Sequence, residues 1–280
     1  MTMRDSCHHT IFYPEDRKTL DQWTAVRPAS GLLRMLPSSI LVPHASLSLI
    51  TEAMSRSFAE TASLHPELIV FLGPLHQEVL TIHEPAFLFA PESSALRIAG
   101  KETRWASTLI TDLTKNFATA LMQEESYFVE EPALELTLPF IQSYHPQAKV
   151  LPLLAGSCTS GQIRKYADIL EYIIKHEQST LFVVSANANA LLPSVQAEEH
   201  GQAFTDALLS NANFLGPKIS SCNRFSLDAL RLALGRKGSW NLLGTFCQGR
   251  EYPAIEPITE GTEKHVWHLC ACQGASDVKR

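Results

Sequence analysis

Short, almost wholly apolar runs alternate with longer stretches of helical period along this 280-residue chain, and that alternation restricts its fold more than any other feature. Residues 39–42, 68–72, 149–153 and 180–185 read as strands. A strand with one face in water alternates polar and apolar side chains, so continuous apolar runs point to burial on both faces. Between them, Ile50, Met54, Phe58 and Ala62 recur every four residues, as do Trp105, Leu109, Leu113, Phe117 and Leu121. Ile163, Ala167, Leu170 and Ile174 mark a third helix, residues 195–207 lie in another, and Leu227, Leu230 and Leu234 mark one ended by Gly235. Such spacing gives each helix one apolar stripe. The predicted fold is α/β: a largely parallel or mixed central sheet flanked by helices on both faces. Residues 240–246 and 265–271 read as two strands with no helix between them, which predicts an antiparallel C-terminal edge. No repeat or linker interrupts the pattern, so residues 1–280 read as one domain.

Charge and hydropathy exclude several functions. The chain has 29 acidic and 23 basic residues and no Lys/Arg run, which is no footprint for nucleic acid. Its longest apolar runs fall far short of the roughly 20 residues that span a bilayer. Residues 1–9 are polar, with no apolar core of a secretory signal, so a cytoplasmic protein with reduced thiols is expected. The six cysteines are too scattered to read as a disulfide framework.

Those cysteines and 11 histidines are the candidate ligands. In open α/β sheets ligands bind beyond the carboxyl ends of the strands, which selects His44, just after residues 39–42, and His76, just after residues 68–72. Gly73 and Pro74 turn the chain before His76. Each also reads as a loop histidine bonded to backbone. After residues 180–185 comes Ser185-Ala186-Asn187-Ala188-Asn189-Ala190, a strand end bearing amides instead of acids or bases, readable as an Asx turn. Cys222 precedes a helix beside Arg224, where a thiolate is favoured, although free cysteines are commonly just buried. Glu131 and Glu135 sit four residues apart, either as paired carboxylates or as a solvated helix start. His268, Cys270 and Cys272 share one face of a strand, but successive side chains ~6.6 Å apart on a straight strand converge poorly on one ion, so a core-facing role is expected. His8 and His9 look like a flexible start, and His65 and His145, each followed by Pro, like helix ends.

Taken in order, Pro43-His44-Ala45, Gly73-Pro74-Leu75-His76, Glu131-Pro132-Ala133-Leu134-Glu135, Val183-Val184-Ser185 and Cys222-Asn223-Arg224 resemble the Memo family, also called AmmeMemoRadiSam system protein B. The resemblance implies a fold like that of class III extradiol dioxygenases, which are non-haem iron enzymes. It places the family's pocket histidines on His44 and His76 and its pocket cysteine on Cys222, with Glu131, Ser185, Asn187 and Arg224 lining the pocket. Two imidazoles and a thiolate suit one metal ion, iron(II) first, with copper and zinc compatible. The name of the family implies AMMECR-type and radical SAM proteins as partners.

The departures from the family pattern are specific. Asn187 stands where the family has Asp, and Ala190 and Pro132 stand where it has histidines, so groups suited to acid/base work are missing while ligands are kept. The leading expectation is a metal-binding Memo-like protein with reduced or lost catalysis. The alternatives are a metal-free module binding a small molecule, peptide or protein, and a cysteine hydrolase with Cys222 as nucleophile.

Overall fold

The computed structural model describes residues 2–31, 36–76, 86–210, 219–235, 239–248 and 264–274. In chain order the elements are β1 (Met3–Asp5), α1 (Arg17–Trp23), β2 (Pro37–Val42), α2 (Leu47–Ala59), β3 (Leu68–Pro74), β4 (Leu88–Ala90), β5 (Ala95–Ile98), β6 (Lys101–Arg104), α3 (Ser107–Asn116), β7 (Leu121–Gln123), α4 (Glu125–Glu130), α5 (Pro132–Tyr144), β8 (Lys149–Ala155), α6 (Ser160–His176), β9 (Thr180–Ser185), β10 (Leu192–Pro193), α7 (Ser194–Leu209), α8 (Arg224–Leu234), β11 (Trp240–Gln248) and β12 (Lys264–Gly274).

The four apolar runs become β2, β9, β3 and β8, adjacent in that order and mutually parallel. Every residue of β3 is buried, as are the last six of β8 and the last five of β9. The parallel core is extended antiparallel on both sides. β12 pairs with β2 and β11 with β12 on one flank, and β4 pairs with β8 on the other. The sheet is therefore mixed, with the expected antiparallel C-terminal strands.

Side-chain alternation on β12 shows helices on both faces. Trp267 points toward α7, where a Cβ on Gly201 would lie 2.6 Å from the indole. Cys270 points to the opposite face, where the charges of Arg56 and Glu52 on α2 act on it. On that side Phe58 of α2 stacks on Phe140 of α5, with centroids 5.6 Å apart. Both rings are fully buried, and each contributes about 1.5–3 kcal/mol by leaving water. On the other, α6 and α8 are joined by Tyr166 and Ser226, whose hydroxyls lie 3.1 Å apart. Local signals fix the ends of these helices. Thr159 and Gln162 form a capping box at the start of α6, and Gly235 closes α8 with φ +64°. Among the described residues no helix is long and apolar enough to cross a membrane.

Three expectations are corrected. The four-residue period over 105–121 does not mark one helix: α3 stops at Asn116, and Leu121 opens β7. His8 and His9 are not a flexible start, since the His8 backbone bonds to Glu135 and His9 bridges to Tyr13. Met3–Asp5 form β1, parallel to β5, in a second sheet of order β1-β5-β6, and β5 turns into β6 through Ala99 and Gly100 at φ +45° and +80°. Nor are Glu131 and Glu135 on a solvated helix start, since both are buried. Glu135 takes the Tyr13 hydroxyl at 2.8 Å, the His8 backbone N–H at 3.0 Å and the Arg4 guanidinium at 3.0 Å, so its carboxylate fastens the N-terminal segment to α5.

Candidate metal centre

Because β2, β9 and β3 are parallel neighbours, their carboxyl ends open on one edge of the sheet. His44 follows β2 after one proline, and His76 follows β3 after Leu75. At Gly73 a Cβ would stand 2.6 Å from the Phe71 ring and 2.7 Å from Leu154, so only glycine lets β3 reach its end undistorted beside β8. Cys222 is brought over the same edge by its neighbour. The buried Asn223 amide donates to the carbonyls of Leu72 on β3 and Ser185 on β9, at 3.0 and 2.9 Å, tying the chain ahead of α8 across two strands.

The result is a cluster in which one ligand atom each from His44, His76 and Cys222 lies within 4.8 Å of the others. Cys222 Sγ is 3.5 Å from His44 Nε2, and the two imidazole rings meet edge to face at 5.0 Å. Metal bonds of roughly 2.0 Å to nitrogen and 2.3 Å to sulfur subtend about 3.5 Å at a tetrahedral angle, so this spacing suits one ion.

Each imidazole is oriented from behind. His76 Nδ1 lies 2.7 Å from Glu131 Oε2, and its backbone N–H donates to the same oxygen at 3.2 Å. Glu131 is itself the N-cap of α5, its Oε1 accepting from Ala133 N at 3.1 Å. With Nδ1 donating to a carboxylate, Nε2 of His76 is the nitrogen that would ligate a metal, giving up its proton to do so. His44 Nδ1 faces Ser185 Oγ at 2.9 Å, which leaves its Nε2 toward Cys222. Electrostatics separate the two rings. Burial, then the charges of His76 and His268, hold His44 well below the usual imidazole pKa. Burial also opposes the charge of His76, but Cys222 and Glu131 outweigh it and push its pKa up to about 10. The His76 side chain is 45% exposed, so the cluster is reached from solvent on that side.

The remaining expected residues fall as follows. Asn187 does more than close a turn. Its Oδ1 accepts the His44 backbone N–H at 3.2 Å, its Nδ2 donates to the His44 carbonyl at 2.9 Å, and its own backbone N–H donates to Cys222 Sγ at 3.2 Å. Arg224 opens α8 with its guanidinium 4.4 Å over the Phe225 ring. Pro132 is the first residue of α5, and Ala190 is exposed beyond β9. His145 caps the end of α5, and His268, Cys270 and Cys272 are buried as expected of a core-facing strand. Two residues outside the expected site take part: Asn223, and His268, set aside above with Cys270 and Cys272 on strand geometry, whose Nδ1 lies 2.9 Å from Asn187 Oδ1. Hydrogen-bonding side chains on a neighbouring strand leave no periodic signal to find.

Two imidazoles and a thiol gathered beyond the ends of parallel strands define an α/β protein with a candidate metal centre. The chain belongs to the family described as Memo-like protein, whose profile matches residues 4–211. His44, His76, Glu131 and Asn187 lie inside that match, and Cys222 and His268 beyond it. No curated protein matches the chain. A crystal structure of an uncharacterized protein, JW3007, from Escherichia coli K12 is similar over 84% of this chain and 99% of that one, at 12% identity and a TM-score of 0.49.

Proposed function

We propose that His44, His76 and Cys222 hold a single metal ion, iron(II) before copper or zinc, in a pocket of the kind used by non-haem dioxygenases, with its chemistry reduced or lost. The observation that carries this reading is the Glu131–His76 pair at 2.7 Å. A carboxylate behind an imidazole fixes its tautomer and raises the basicity of the opposite nitrogen, as it does behind metal-bound histidines generally. The 4.8 Å limit on the ligand atoms is close to about twice a metal bond, a span that does not favour a metal-free module. A bound ion would supply Lewis acidity, and redox chemistry in the case of iron or copper. Around it His44 stays neutral, Glu131 holds the His76 ring, and Pro132 and Ala190 supply no base. The motif resemblance to AmmeMemoRadiSam system protein B extends the reading to a cytoplasmic protein acting with AMMECR-type and radical SAM proteins.

Metal analysis of anaerobically purified protein tests the site against a His44→Ala/His76→Ala control. The expected result is about one ion per chain in the wild type and none in the control. No metal above the control overturns it.

The 3.5 Å contact of Cys222 Sγ with His44 Nε2 favours one other reading, a cysteine nucleophile with an imidazole base. Alkylation of Cys222 across the pH range separates the two. A thiol that titrates near the free value of about 8.5 argues against the nucleophile.

A further inference from the structure

His268 comes from β12, a strand that contributes none of the three clustered ligand atoms, yet it is buried and joined to the cluster through one amide. Three of the four hydrogen-bonding positions of the Asn187 amide are taken, both of those on its oxygen. Its oxygen accepts from the His44 N–H and faces His268 Nδ1, and its nitrogen donates to the His44 carbonyl. That commitment fixes the direction of the remaining bond. Because Oδ1 only accepts, His268 must present Nδ1–H to it. Burial draws the pKa of His268 down to about 4, so the ring is neutral and Nε2 carries a lone pair. Nε2 lies 3.2 Å from the Gln248 side-chain amide, whose N–H is the partner that a neutral ring donating through Nδ1 requires.

The same segment is stitched to β12 at two further points. Ala188 N donates to the Trp267 carbonyl at 2.9 Å, and Trp267 N donates to Asn189 Oδ1 at 2.6 Å. The stretch that bonds to Cys222 Sγ through Asn187 N is therefore held by β12 as well as by the end of β2 and His44.

We propose that His268 and Asn187 form a positioning pair for the centre: His268 orients the Asn187 amide, and Asn187 in turn sets the backbone of His44 and gives its N–H to the sulfur of Cys222. This rests on the metal reading above for its consequence, but not for its geometry. The pair also accounts for an amide standing where the family pattern has an acid. A carboxylate there would turn an oxygen without a proton on the His44 carbonyl, which Asn187 Nδ2 satisfies at 2.9 Å.

The test uses the full chain with cobalt(II) as the probe, and the variants His268→Phe, which keeps the ring volume, and His268→Asn, whose amide N–H overlays Nδ1. His268→Phe is expected to weaken cobalt(II) binding about tenfold, the lower end of what such supporting residues cost. It should also shift the thiolate-to-cobalt charge-transfer band to lower energy, because a sulfur that loses an N–H donor gives up electrons more readily. In the metal-free protein it should speed hydrogen exchange of the His44 amide about tenfold. His268→Asn should restore most of all three. Wild-type affinity, band and exchange in His268→Phe would overturn the proposal, as would equal losses in both variants. If the wild type takes no cobalt(II), the metal reading falls, and the exchange of the His44 amide still decides the positioning pair.

Discussion

Glu131 Oε2 lies 2.7 Å from His76 Nδ1 and 3.2 Å from the His76 backbone nitrogen, so one carboxylate oxygen holds both the ring and the backbone of a candidate ligand. Glu131→Gln keeps an oxygen for the α5 cap but removes the charge. Metal affinity is expected to fall about tenfold or more, read by competition with a chelator. An unchanged affinity would show that the carboxylate is a cap and nothing else.

The His76 imidazole, its charge favoured by Cys222 and Glu131 together, sets an alkaline limit on the metal-free protein. The folded pKa of His76, about 10, lies above its ordinary value of 6.5. The stabilisation it gives is therefore complete below pH 6.5 and disappears as the pH rises through about 10. Urea unfolding should show stability falling across that window in the wild type and less steeply in Glu131→Gln. Parallel profiles would refute the assignment.

An acid limit has the opposite sign. His145 and His268 are buried and neutral, each with its pKa drawn down to about 4, and His44 is lowered as well. A depressed imidazole contributes stability that is present above pH 6.5 and lost as pH falls through its folded value. The melting temperature should drop between about pH 6.5 and 4, and His145→Gln should flatten the drop, since Thr61 Oγ1 at 2.8 Å from Nε2 can still bond an amide. The same slope in that variant would assign the transition to other groups.

Glu135 gathers Arg4, the Tyr13 hydroxyl and the backbone of His8 on a fully buried carboxylate. Removing one member of a buried ion pair strands the other, so Glu135→Ala should cost about 3–5 kcal/mol, against about 1 kcal/mol for Tyr13→Phe. Chemical denaturation measures both. A Glu135→Ala loss no larger than that of Tyr13→Phe would mean the N-terminal segment is not anchored there.

Gly73→Ala places a methyl group against Phe71 and Leu154 three residues before His76. Overpacking of this kind costs about 1–3 kcal/mol. The displaced strand end should also weaken metal binding while leaving a folded protein by circular dichroism. Unaltered binding would show that the loop position does not depend on the close approach at Gly73.

How legible the molecule is from its residues depends on which bonds make each part. Strands β2, β3, β8 and β9 are readable because burial on both faces demands continuous apolar runs. The three-residue strands β4 and β7 are too short for any period to show, and the apolar spacing that runs on from α3 to Leu121 continues across a chain reversal. His44, His76 and Cys222 are found by strand-end placement and family motifs together. His268 is passed over because the geometry of a straight strand argues against its sharing an ion with Cys270 and Cys272. Its route to the cluster runs sideways, through Asn187, 81 residues earlier in the chain.

The position of β12 has a consequence for the order in which the molecule is made. It pairs with β2, the first strand of the parallel core, although some 220 residues separate the two in sequence. Closing so long a loop is slow and comes late in folding. A chain emerging from the ribosome presents both imidazoles and the thiol well before the strand that squares Asn187 against them. Under the proposed metal reading, the three ligands are squared against one another only once β12 has docked on β2, so an ion would be taken up by the folded chain.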